Sequence, residues 1–228
     1  VLRKWMPIVS LLALLLPLTG CWSRHELNDP AIVVGLGIDK AGDGYKVSAQ
    51  IVNPGQVSSR NGMAKGLPPV VTFTEQGKTV PEALRRMTTK LSKRLYFSHL
   101  RIVVFGERMA REGIRKPLDF ISREAAMRND FFLVVAKGCE ASDVLGISSS
   151  IDPIPANNLY TKLSNSDRLW AATGKITLDK LLIDLGTKGK SPALTGIEII
   201  GNRKTAQWID GSNTIKPVAI MAYSGTGG

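Results

Sequence analysis

The residue best placed for covalent chemistry is Cys21. Leu18, Thr19 and Gly20 ahead of it complete a bacterial lipobox: a branched apolar residue, two small ones, then a thiol. The sulfur of such a cysteine takes a diacylglycerol thioether, and the small residues before it let a peptidase approach the backbone. Upstream, Arg3 and Lys4 form a positive n-region, and residues 5–18 are an apolar run broken only by Pro7, Ser10 and Pro17. This order is that of an export signal. The run holds 14 residues, whereas a spanning helix needs roughly 20, so a cleaved signal reads better than a transmembrane anchor. Residues 1–20 are therefore predicted to be removed and residues 21–30 to tether the chain to the bilayer through acylated Cys21. Two acyl chains, at roughly 0.8 kcal/mol per buried methylene, hold far longer than a single myristoyl group. The alternatives are an uncleaved anchor and ordinary secretion.

The other reactive side chains do not read as a catalytic set. With Cys21 acylated, Cys139 has no cysteine to pair with, and a thiol following an apolar run reads as a small buried hydrophobe. A Cys139 and His99 nucleophilic pair would need the two to meet in space, and nothing in their spacing demands that. The chain holds two histidines, His25 in the tether and His99, which speaks against a multi-histidine metal site. Glu107 with Glu112, and Asp179 with Asp184, fall on predicted helices and read as surface. Gly35-Leu36-Gly37 is followed by a turn and a second strand, so no helix N-terminus would face a phosphate there. Those glycines read instead as room for close backbone packing inside the sheet. The expectation is a chain without cofactor, metal or catalytic activity.

The elements around these residues follow from periodicity and punctuation. Residues 31–38 form an apolar run, 42–44 a turn, and 45–52 an approximate alternation, together a β-hairpin. Residues 53–69, rich in Gly, Pro, Ser and Asn, read as a loop, and 70–76 as a third strand. Thr79 and Glu82 match a capping box that opens a helix with Ala83, Leu84, Met87 and Leu91 on its inner stripe. Arg85, Arg86, Lys90, Lys93 and Arg94 fill the remainder, a candidate face for phospholipid or an acidic partner; the plainer reading is a solvated surface. A strand over 100–105, a helical turn over 107–112 capped by Gly113, and a helix over 117–128 with Leu118, Ile121 and Ala125 on one face come next. Further on, 131–136 reads as a strand, then 140–145, 157–163 and 178–185 as helices, the last behind a Thr177 cap. Residues 187–192 read as a loop, and 195–200 and 215–223 as strands. The predicted fold class is α+β: a mixed β-sheet opening with a hairpin and flanked by helices. The folded region would span 31–223, any division into two subdomains falling near 140–155, with 224–228 as a tail.

Charge carries partner information once export is assumed. The chain has 228 residues and a formal charge of +11; losing residues 1–20 removes Arg3 and Lys4 and leaves +9. Nucleic acid is not an expected partner outside the cytoplasm, whereas anionic headgroups and wall polymers lie close by. Lysines scattered for solubility are the plainer explanation.

Several stretches taken together resemble one family. They are CWSRHELN at 21–28, AIVVGLGID at 31–39, SHLRIVVFGE at 98–107, DFISR at 119–123 with Arg128, LVVAKG at 133–138 leading to DVL at 143–145, and TGIEIIG at 195–201. In order and spacing they are similar to the Ger(x)C family, the lipoprotein subunits of bacterial spore germinant receptors. The resemblance implies a non-enzymatic subunit on the outer face of the spore inner membrane. It would assemble with integral-membrane A- and B-type subunits into a nutrient receptor that triggers germination. Of the family's functional positions only the lipidated cysteine carries over, onto Cys21. Family members usually continue into a further C-terminal region, so the stop after 224–228 reads as a truncated or frame-shifted product. The runner-up is a solute-binding lipoprotein of an importer, which would require two similar lobes of repeated βαβ units. An anchored hydrolase acting on wall material is a third class, and it lacks a paired acid and base.

Overall fold

A computed structural model describes residues 30–53, 68–147, 152–169 and 173–200, with the backbone of 214–222. Cys21, His25, the tether up to residue 29, most of the 53–69 loop and the tail at 223–228 lie outside the described residues. Residues Ala31–Gly228 form one unit.

The hairpin is β1 (Pro30–Ala41) and β2 (Gly44–Val52), paired antiparallel and closed by Gly42 and Asp43. Gly42 has φ +53°, a backbone region L side chains resist. Strand β3 (Val70–Gly77) pairs antiparallel with β2 and forms one edge. Helix α1 (Val80–Thr88) follows, then the short strand β4 (Arg94–Tyr96), strand β5 (Ile102–Gly106) and helices α2 (Glu107–Glu112) and α3 (Arg115–Arg123). Strand β6 (Phe132–Lys137) precedes helices α4 (Ala141–Leu145), α5 (Pro155–Leu169) and α6 (Leu178–Gly186). Strands β7 (Ala193–Ile200) and β8 (Thr214–Ala222) complete the same sheet.

The strand order is β3-β2-β1-β5-β6-β7-β8, with β4 added against β1. Strands β1, β5, β6 and β7 run parallel, and antiparallel pairs flank them on both sides. Parallel strands are covered by helices on both faces and read as unbroken apolar runs; Ile102, Val103, Val104 and Phe105 are each fully buried. On one face Leu36, Ile38, Val103, Phe105 and Leu133 pack against Leu84 and Met87 of α1, Met109 of α2, Leu118 and Ile121 of α3, and Leu181 of α6. On the other, Ile102, Val104 and Val134 meet Val144 and Leu145 of α4 and Leu159 and Leu163 of α5. The α+β expectation of a mixed sheet, hairpin first and helix-flanked, describes this arrangement.

Three local expectations shift. The Thr79 hydroxyl accepts from the Glu82 N–H at 3.3 Å, but the Glu82 carboxylate reaches the N–H of Lys78 at 2.9 Å, one residue further out than a capping box has it. Helix α1 ends at Thr88, and Leu91 reaches the core through a turn in which Lys90 N–H donates to Met87 O. Helix α3 ends at Arg123 rather than 128: Glu124 takes an extended ψ of 100°, and a turn from Glu124 O to Met127 N–H buries Met127. Ala125, expected on the inner face, is exposed. The sequence reading did not include β4 at all.

Candidate functional site

Two of the five buried polar side chains among the described residues, Asp39 and Gln50, meet one short helix. Asp39 ends the apolar part of β1 and is 4% exposed. Its carboxylate accepts from the N–H of Ala141 at 2.8 Å and of Ser142 at 3.4 Å, the first turn of α4. Glu140 closes that turn from the other side: it forms a reciprocal capping box with Asp143 and pairs with Lys46 of β2 at 2.5 Å. At the far end of α4, Gln50 of β2 is fully buried. Its side-chain N–H donates to Leu145 O at 2.5 Å, and its carbonyl accepts from Ala156 N–H at 3.0 Å. Gln50 therefore ties the last turn of α4 to the first turn of α5.

A five-residue helix has no stability of its own, so α4 exists because the strands hold both its ends. They can do so because of the two glycines. A Cβ at Gly35 would sit 2.8 Å from Leu145 Cδ2 and 3.1 Å from Ala156 Cβ; one at Gly37 would sit 3.1 Å from Ala141 Cβ. The Gly-Leu-Gly segment thus makes room for the helices laid on the sheet, rather than for close backbone packing inside the sheet as the sequence suggested. Asp39 and Gln50 were missed in the sequence reading. Their signal was present: a carboxylate at the end of an apolar strand, and an amide on a strand whose neighbours are buried on both faces.

Burial pushes the Asp39 carboxyl above its ordinary 3.8, and the Glu140 charge adds to this against the opposing hydrogen bonds from Ala141 and Ser142. Glu140 is held below its ordinary 4.5 by Lys46, and Glu107 below its own by Arg111 and by the Gly138 N–H at 2.7 Å. The signs are opposite. Asp39 contributes stability that is present below 3.8 and lost as pH rises through its raised value, whereas Glu140 and Glu107 contribute above 4.5 and lose it in acid. Asp39→Asn keeps an acceptor for Ala141 but removes the proton uptake. Its stability deficit relative to the parent chain is expected to widen on acidification from neutral pH toward about 4. Urea midpoints at several pH values measure this; parallel curves for the two chains would contradict it.

The residues weighed as a catalytic set lie apart or in ion pairs. His99 lies before the N-terminal end of β5 and Cys139 just past the C-terminal end of β6. Those strands are parallel, with Ile102 opposite Phe132 and Gly106 opposite Ala136, so the two side chains lie at opposite ends of the sheet, more than about 13 Å apart at 3.3 Å per residue. Cys139 is half-buried against the second core, and the His99 ring stands 6.0 Å from that of Tyr96. Glu107 and Glu112 pair with Arg111 and Arg108 on α2, Glu112 also with Lys40. Asp184 pairs with Lys190. Among the described residues no three His, Cys, Asp or Glu side chains stand together as a metal site, and no helix is long and apolar enough to cross a membrane.

On the predicted basic face, Arg86 pairs with Glu82 and Lys90 with Glu75, while Arg85, Lys93 and Arg94 are exposed. Arg94 belongs to β4 and Lys93 to the turn before it, so the residues do not form one helical stripe.

The Asp39 carboxylate and Gln50 amide are thus taken up by the fold's own helices, and comparison with known proteins gives the chain's kinship. Residues 23–199 match the family model described as the spore germination protein N-terminal domain. The chain belongs to the Ger(x)C family of spore germination proteins. It is 33% identical over 227 residues to spore germination protein KC of Bacillus subtilis, covering 98% of this chain and 56% of that protein. It is 34% identical over 178 residues to the putative spore germination protein YfkR of the same organism, covering 77% and 45%. With spore germination protein B3, also of B. subtilis, it shares 28% identity over 207 residues, covering 89% and 53%. The chain thus spans about half the length of the curated relatives it matches. No solved structure matches it.

Proposed function

We propose that this chain is the lipid-anchored, non-enzymatic subunit of a spore nutrient-germinant receptor, acylated at Cys21 and assembling with integral-membrane A- and B-type subunits. The observation that carries the reading is the family match over residues 23–199, which begins two residues after the lipobox cysteine. The chemistry of the body agrees with a role in contact rather than catalysis. Its buried carboxylate and amide are committed to helix ends, and Cys139 and His99 lie at opposite ends of the sheet. Anchoring at Cys21 confines the search for membrane partners to two dimensions and raises their effective concentration.

Affinity purification of the tagged chain from detergent-solubilised spore membranes tests the assembly. Integral-membrane A- and B-type subunits are expected to co-purify, and deletion of the chain to abolish the response to one nutrient while spores still form. Recovery of the chain without such partners, with germination unchanged, would refute it.

A further inference from the structure

We propose that the end of the sheet where β1 begins carries a docking face for anionic phospholipid headgroups, centred on Lys93, Arg94, Tyr96 and Arg101. The proposal rests on the reading of Cys21 as the acylated residue and adds to it the surface turned toward the bilayer. Covalent geometry sets the reach: nine residue-to-residue steps lead from Cys21 to Pro30, the first residue of β1, and extended chain spans at most about 3.6 Å per step, roughly 30 Å in all. The far end of β1 lies on the order of 35 Å further along the strand.

The elements at the near end follow from the hydrogen bonding. Strand β4 pairs with β1. The Phe97–Leu100 turn then returns the chain to Arg101, whose N–H donates to Val34 O at 2.9 Å. With Gly35 to Ile38 already paired with β5, β4 lies along the first residues of β1. Lys93, Arg94, Tyr96 and Arg101 are all exposed there, Tyr96 by 42%. The Arg101 guanidinium lies 5.2 Å over the Tyr160 ring of α5, which fixes its direction. Among the described residues Lys93 and Arg94 have no carboxylate within ion-pair distance.

Charge is distributed unevenly along the strand axis. At the tether end, residues 93–101, 124–131 and 187–193 hold six Lys or Arg and two Asp or Glu. At the opposite end, residues 39–46, 75–79, 107–112 and 137–143 hold six Lys or Arg and seven Asp or Glu, many of them tied together, as in Lys40 with Glu112 and Lys46 with Glu140. The field of an anionic surface decays within about 10 Å at 0.1 M salt, so only cations on the side facing the bilayer feel it. An exposed tyrosine among them suits the headgroup layer, where its ring and hydroxyl meet different surroundings. Position at the tether end favours lipid over an acidic protein segment, which could meet any face.

The test compares binding of the Cys21→Ala chain to vesicles of phosphatidylcholine alone and of phosphatidylcholine with phosphatidylglycerol. Using this chain separates the proposal from acylation itself, and the ratio of the two affinities cancels any contribution of the apolar leader. Lys93→Glu with Arg94→Glu is expected to lower the ratio by at least about 30-fold, since each cation lost near an anionic surface contributes about fivefold and the two carboxylates add repulsion. Lys78→Glu with Lys137→Glu, an equal charge change at the far end, is expected to lower it less than about threefold, and added salt to abolish the difference. Equal losses for both double variants would reduce the effect to net charge and overturn the proposal. A ratio near one for the parent chain would also overturn it, as would retention of vesicle binding by the Lys93→Glu, Arg94→Glu chain together with loss of a protein partner.

Discussion

The Cys21→Ala chain is expected to leave the membrane fraction almost completely, with the bound share falling by more than about a hundredfold. The magnitude follows from hydrocarbon. Each buried methylene of an acyl chain contributes roughly 0.8 kcal/mol, so two long chains anchor a protein effectively permanently, whereas a single myristoyl chain binds reversibly. Nothing else described in the molecule matches that. No described helix can cross a membrane, and a rim of two or three cations contributes only about 1 kcal/mol each. Fractionation by ultracentrifugation, with the germination response followed in parallel, measures the effect. If the variant stays bound with residues 1–20 still attached, the apolar run at 5–18 is the anchor instead. If it stays bound after losing them, acylation is not what holds the chain.

Gly35→Val is expected to cost about 3 kcal/mol or more of stability. Overfilling a packed core commonly costs 1–3 kcal/mol, and here the added carbons meet neighbours with little freedom to move. The first would fall 2.8 Å from Leu145 Cδ2 and 3.1 Å from Ala156 Cβ. Leu145 is 1% exposed and its carbonyl accepts from Gln50, while the N–H of Ala156 donates to the same side chain. Pushing α4 away therefore strains the Gln50 bridge as well, and each buried group left unpaired adds about 1–3 kcal/mol. Gly186→Ala at the end of α6 is the control, since a Cβ there meets nothing within 4 Å; it should stay within about 0.5 kcal/mol of the parent chain. Urea denaturation, with equal slopes and a shifted midpoint, reads both. Equal stabilities for the two variants would mean that α4 does not rest on β1 as described.

The parts of the fold legible in sequence were those with a short-range signal. The strands read at 100–105 and 131–136 show themselves by apolar runs, and Gly42 with Asp43 announces the hairpin. The Gly-Leu-Gly segment reads away from phosphate chemistry because a strand follows it, and the structure has β2 there. What stayed hidden depends on partners far along the chain. Asp39 caps a helix about a hundred residues away, and Gln50 joins two helices at a similar separation; their polarity was visible, their purpose was not. The ends of α1 and α3 were placed too late because Leu91 and Met127 keep apolar spacing while reaching the core through turns. β4 escaped notice because three residues, Arg94 to Tyr96, carry no periodicity. The candidate site at Cys21 was read wholly from local sequence, from the order of charge, apolar run, small residues and thiol.

The measurement that bears most directly on the account is mass spectrometry of the protein recovered from its native host. The account predicts a mature chain beginning at Cys21, found with the membranes, whose N-terminal peptide carries the added mass of a diacylglycerol thioether. A chain with an unmodified Cys21 thiol, recovered free in the surrounding medium, would contradict it.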